Sequence, residues 1–164
     1  MQRYYNLRGK ALLFLFFLWF IWFINFTTRI AFAPILPLVE DEFLVNHAQS
    51  SSIFVFLSIG YGLAVIVSGL FSGRFGYKRS IVLSLLFLSL VAFLIPLVHK
   101  FLLLYFFAFM LGFSVGFYLP AIIPLITEYY SEKDWGKAIA IHDTGASCSI
   151  FATPFIALFL LHFF

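Results

Sequence analysis

Charge is what this chain has least of. Of 164 residues, 10% are Asp, Glu, Lys or Arg, against about 25% in a soluble globular domain. A water-exposed fold of this size would have too little polar surface to cover itself. Cysteine is rarer still. The single Cys148 excludes an intramolecular disulfide and a multi-cysteine metal site. The four histidines, His47, His99, His142 and His162, stand in separate segments without zinc-ligand spacing. No phosphate loop, nucleophile elbow or pair of catalytic carboxylates is visible. Nothing in the sequence argues for an enzyme, a metal site or a cofactor, and no linker marks a second domain.

What is present is apolar. Hydrophobic residues make up 63% of the chain, 25 of them Phe, and the mean hydropathy is +1.07. The solvent for most of this chain is lipid. The net charge of +3 could suggest nucleic acid, but the cations sit at the ends of apolar runs and form no continuous basic face. The expected partners are therefore the bilayer and a small solute, with no nucleic acid.

Five runs, at roughly 11–38, 50–72, 80–98, 101–129 and 138–163, are each long enough to cross a hydrocarbon core of about 30 Å at about 1.5 Å per residue. The fold class is an all-α membrane protein of five transmembrane helices, a single transmembrane domain. Arg3, Arg8 and Lys10 precede the first run, which is too long for a signal peptide and reads as a retained helix. Pro34 and Pro37 are expected to kink or end it, and Ser50, Ser51 or Ser52 to cap the second. One side of the membrane receives Arg3, Arg8, Lys10, Arg74, Lys78, Arg79, Lys133 and Lys137; the other receives Lys100. The excess of cations places the N-terminus in the cytoplasm and, with five spans, Phe164 outside a cell membrane.

Three runs carry small or kinking residues at every fourth position: Gly60, Ala64, Ser68 and Ser72; Ala108, Gly112, Gly116, Pro120 and Pro124; Gly145, Ser149, Thr153 and Ala157. Period four keeps each set on one helix face, where backbones approach closely. Such faces serve simple packing or, with two prolines one turn apart, helices that rock.

Polar residues inside the spans are the candidate site. Arg29 lies about 27 Å along the first run from Ala11, on one face with Asn25 and Trp22. A cation at that depth costs about 2.5–3.5 kcal/mol on insertion scales. It either lines a cavity and binds an anion or snorkels to the outer interface near Glu40 or Glu42. Tyr118 and Tyr61 are candidate cavity residues or packing aromatics. His142 and Asp143 form either a proton relay or a polar helix start at the headgroup level. Glu128 is placed to pair with Arg74 or Lys78.

The segment between the second and third runs, Gly69-x-x-x-Gly73-Arg74-x-Gly76-x-Lys78-Arg79, resembles the signature loop of the major facilitator superfamily, matching it at Gly69, Arg74, Gly76, Lys78 and Arg79. It departs at Gly73, where that family carries an acid that takes part in a cytoplasmic gate. Gly112-x-x-x-Gly116-x-Tyr118-x-Pro120 and Gly136-Lys137-Ala138-Ile139-Ala140 are similar to family sequences as well. The fifth run lacks the glycines of the antiporter element at Ser149, Thr153 and Ala157. The resemblance implies a transporter of twelve helices in two halves, with solute bound between them. The chain would then correspond to an incomplete N-terminal half that does not transport alone, with a second chain supplying further helices. An Arg in the first helix resembles anion-transporting branches and implies a small organic anion, with Arg29, Asn25 and Tyr118 as contacts. The alternative is a non-transporting membrane protein, a fragment or an assembly partner.

Overall fold

A computed structural model describes residues 5–163. The expectations placed on Arg3 and Phe164 lie outside the described residues. The described chain is helical, with five stretches long and apolar enough to cross a membrane: Lys10–Phe43, His47–Phe75, Tyr77–Leu97, Phe101–Tyr129 and Glu132–Phe163. Three of these are broken, giving α1 (Lys10–Ile30) and α2 (Phe32–Phe43), α3 (His47–Ser51) and α4 (Ile53–Phe75), then α5 (Tyr77–Leu94), α6 (Phe101–Gly116) and α7 (Tyr118–Tyr129), and α8 (Trp135–Phe163).

The first and fourth stretches break by the same rule. The interruptions fall at Ala31 and Phe117, each three residues before a proline, Pro34 and Pro120. A proline ring clashes with the carbonyl one turn earlier and donates no N–H, so the break precedes it. Pro34 and Pro120 then sit in the first turn of a new helix, where a missing N–H costs little. Pro34 and Pro37 therefore do not end the first stretch, which runs on to Phe43.

The second stretch starts earlier than the serines suggest. Asn46 caps α3: its side chain accepts from the Gln49 N–H at 2.9 Å, and the Gln49 side chain accepts from the Asn46 N–H at 3.1 Å, a reciprocal capping box. Ser52, at the junction with α4, makes no side-chain cap; its hydroxyl donates to the Gln49 carbonyl.

Two helix pairs dominate the bundle, α4 with α6 and α1 with α8. Along α4 the buried residues are Ile53, Leu57, Gly60, Ala64, Ser68 and Ser72, a single face, small from Gly60 onward, of which Leu57, Gly60 and Ala64 meet α6. Lipid supplies no hydrophobic drive between helices, so van der Waals contact at close approach holds the pair. A Cβ on Gly60 would fall on the Phe109 carbonyl oxygen, one on Gly112 on the Leu57 carbonyl oxygen, and one on Gly116 would lie 2.7 Å from the Tyr61 carbonyl oxygen. In the other pair a Cβ on Gly145 of α8 would lie 2.8 Å from the Trp19 carbonyl oxygen of α1. Pro120 and Pro124 are half-buried along α7.

Buried apolar side chains form two layers. One joins α1, α7 and the start of α8 around Leu15, Leu18, Trp22, Tyr118, Ile122 and Ile126. The other joins α2, α4, α5 and α6 around Phe32, Ile53, Leu57, Leu88, Leu104 and Leu111. The Ser84 hydroxyl donates to the Ser114 carbonyl at 2.6 Å and ties α5 to α6. The remaining Phe and Leu, such as Phe16, Phe20, Leu70, Phe151, Phe155 and Phe159, point outward, as helices solvated by lipid require.

α4 and α5 are joined by one residue. Gly76 has φ +79°, a conformation open to glycine at little cost; its N–H donates to the Ser72 carbonyl at 2.8 Å and its carbonyl accepts from the Ser80 N–H at 3.1 Å. Gly69 and Gly73 are exposed with open space where a side chain would go. Arg74, Lys78 and Arg79 are exposed around this turn. The N-terminal segment is laced to the α7–α8 loop: Tyr5 N–H donates to the Tyr129 carbonyl at 3.0 Å and Ser131 N–H donates to the Tyr5 carbonyl at 3.3 Å. Leu7 N–H donates to Asp134 Oδ2 at 3.3 Å. The fully buried Tyr130 donates its hydroxyl to the Ala11 carbonyl at 2.6 Å.

Candidate functional site

The polar groups inside the bundle fall in two places along α1. Nearer the basic end, Trp22, Tyr118 and His142 form a stack contributed by α1, α7 and α8. Trp22 lies 5.2 Å from Tyr118 and 5.7 Å from His142, centroid to centroid, with planes within 20° of parallel; Tyr118 and His142 are 5.9 Å apart. Tyr118 and His142 are both fully buried. The Tyr118 hydroxyl lies 3.2 Å from His142 Nε2 and 3.2 Å from the Leu18 carbonyl. His142 Nδ1 is 3.1 Å from Asp143 Oδ1, and the Asp143 side chain is 53% exposed. His142 lies two turns inside α8, about 10 Å from Trp135, so the helix does not start at this pair.

One turn further along α1, Asn25 is fully buried, and neither its amide nitrogen nor its oxygen has a hydrogen-bond partner. Trp22 Nε1 and Ser149 Oγ are buried without partners as well. An unsatisfied buried polar group costs about 1–3 kcal/mol, so Asn25 on α1 and Ser149 on α8 carry hydrogen-bonding demand that the closed packing does not meet.

Arg29 follows one turn above Asn25. Its guanidinium stands over the Tyr61 ring at 4.3 Å and over Phe26 at 5.5 Å. That contact fixes its depth. Tyr61 is eight residues from the start of α4 at Ile53, about 12 Å along the helix; the cation therefore lies well inside the length of the bundle. Neither Glu40 nor Glu42 pairs with it among the described residues. Glu40 is bonded to His47 Nδ1 at 2.8 Å and accepts from the Ser50 hydroxyl at 2.6 Å. Among the described residues Arg29 makes no ion pair, and neither does Glu42 or Glu128. Ring faces attract a cation by about 0.5–2 kcal/mol but leave its charge uncompensated.

The structure thus puts Asn25 and Arg29 on one helix face and Tyr118 in the separate stack below them. The stack was not legible in advance, because Tyr118 and His142 stand on different helices with no local signature. No group of three or more metal-binding side chains occurs among the described residues.

The model of the family described as Major Facilitator Superfamily matches residues 18–164. No curated protein and no solved structure matches the chain.

Proposed function

The chain belongs to the major facilitator superfamily of membrane transporters, and on that premise we propose that its helices form one wall of a pathway for a small organic anion, with Arg29 as the contact for the anionic group. The observation that carries this reading is the guanidinium held over Tyr61 inside the span without a carboxylate. A membrane-embedded cation faces a partner or a water-filled cavity, and here the partner is the solute. Asn25, one turn below with both amide atoms buried and unpartnered, would bond the polar remainder of the same molecule once the helices around it part. Transport proceeds by alternating access, in which helix bundles rock around a site between them; the break at Ala31, two residues after Arg29, supplies compliance in the stretch that carries it. The basic end, with Arg74, Lys78 and Arg79, faces the cytoplasm of a cell, because Lys and Arg flanking short loops are retained there.

The test uses purified protein in nanodiscs and a panel of small carboxylates and phosphate esters paired with neutral isosteres. At least one anion should raise the melting temperature by several degrees, and its neutral isostere should not. Arg29→Gln should remove the shift, and Arg29→Lys should weaken it, since a lysine cannot form the two parallel bonds of a guanidinium. A panel with no stabilising anion, or a shift that survives Arg29→Gln, would overturn the assignment.

A further inference from the structure

The His142 cluster has a hydrogen-bond count that only one kind of protonation state satisfies. Three contacts meet there: Nδ1 with the Asp143 carboxylate, Nε2 with the Tyr118 hydroxyl, and that same hydroxyl with the Leu18 carbonyl. The hydroxyl has one hydrogen. If it donates to the Leu18 carbonyl, His142 Nε2 must carry a hydrogen and donate to the Tyr118 oxygen. A hydrogen must then also lie between Nδ1 and Asp143, since a bare ring nitrogen and a bare carboxylate repel. All three bonds form together only when the His142–Asp143 pair holds one proton more than neutral imidazole plus carboxylate. When that proton leaves, Nδ1–H still donates to Asp143, Nε2 becomes an acceptor, and the Tyr118 hydroxyl turns to it and abandons the Leu18 carbonyl.

We propose that His142 and Asp143 form a proton-binding site inside the bundle, and that the bound proton switches the Tyr118 hydroxyl from α8 to α1. The site joins the three helices whose mutual packing forms the layer around Trp22. Asp143, half-exposed, supplies the way in: an ionisable side chain at this depth faces water rather than hydrocarbon. The groups facing His142 are Asp143 from α8, Tyr118 from α7 and the uncharged Trp22 ring from α1. The charged side chains of the elements packed against α8, namely Lys10 and Arg29 on α1, Glu40, Asp41 and Glu42 on α2, Glu128 on α7, and Glu132, Lys133 and Asp134 in the turn before α8, are not bonded to His142 among the described residues. The site is independent of the Arg29 reading: it requires no solute, and its test contains none.

Trp22 is the reporter, because an imidazolium stacked on an indole quenches its fluorescence. The full chain carrying Trp19→Phe and Trp135→Phe, in nanodiscs, should show one emission transition between about pH 5 and 8, the range in which histidine changes charge. His142→Gln should abolish it. Asp143→Asn removes the counter-charge and should move the midpoint down by one unit or more, whereas Asp134→Asn should leave it in place. Tyr118→Phe should also lower the midpoint, since an imidazolium N–H left without an acceptor costs more than an unpaired neutral nitrogen. A transition that persists in His142→Gln, or no transition in the folded parent, would overturn the proton site. If His142→Gln does not fold, an unmoved Asp143→Asn midpoint would do the same. An unmoved midpoint in Tyr118→Phe would overturn the switch.

Discussion

Gly60 and Gly112 are reciprocal: each seats the carbonyl oxygen three residues before the other, Phe109 against Gly60 and Leu57 against Gly112. The exchange locks the register of α4 on α6, because sliding either helix removes both seats at once.

This relationship separates two glycines only two residues apart. Gly60→Ala should destabilise the protein by about 1–3 kcal/mol, as overpacking does, because the obstruction is backbone and cannot swing aside. Gly62, with open space where its side chain would go, should accept Ala with no loss or a gain of up to about 1 kcal/mol from helix propensity. Thermal melts of both variants in detergent check this; equal midpoints would contradict it.

Gly76 should be irreplaceable where its loop neighbour is not. Gly76→Ala forces a side chain into a positive-φ conformation at about 1–2 kcal/mol and strains the one-residue joint. Gly73→Ala meets nothing within reach and should melt as the parent does.

The exposed cations of that joint should govern orientation. Anionic lipid attracts each by about 1 kcal/mol near the surface. Replacing Arg74, Lys78 and Arg79 together with Gln should give mixed topology, read from reporters fused in the α7–α8 loop. Uniform topology in the triple variant would remove this loop as the anchor.

Tyr130 predicts an alkaline limit. Burial, with Tyr129 adding to it, pushes its phenol up to about 12, from the usual value near 10. Folding therefore favours the protonated phenol. Its contribution is intact below about pH 10 and is lost as pH rises toward 12. Tyr130→Phe should cost about 1–2 kcal/mol at neutral pH by removing the hydroxyl that donates to the Ala11 carbonyl. It should also show a shallower loss of stability than the parent between pH 10 and 12, measured by urea or thermal unfolding in one detergent.

The five membrane helices and the small-residue face of α4 were readable from the chain itself, because hydropathy runs and a period of four are local patterns. The helix breaks were less so. A proline is visible, but the clash it causes acts a turn earlier, at Ala31 and Phe117. Asn46 was missed although Asn46-x-x-Gln49 is a capping-box pattern, since α3 is short and polar and carries no apolar periodicity to announce a helix. Arg29 stood out by depth alone, whereas its seat on Tyr61 needed two helices in register. The hydrogen bonds of Tyr118 and His142 depend on three helices meeting, and no spacing in one dimension encodes that.

The pairing of α1 with α8 carries a consequence for biosynthesis. Trp19 donates to the Thr144 hydroxyl across 125 positions of sequence, and Tyr5 is fastened to Tyr129 and Ser131. α4 and α6 can meet soon after each leaves the ribosome. The first helix, by contrast, must wait in the bilayer for the fifth stretch to complete its packing, and the segment ahead of it stays loose until Tyr129 and Ser131 have been made. Maturation should accordingly finish at its beginning, with protease resistance of the N-terminal segment arriving last.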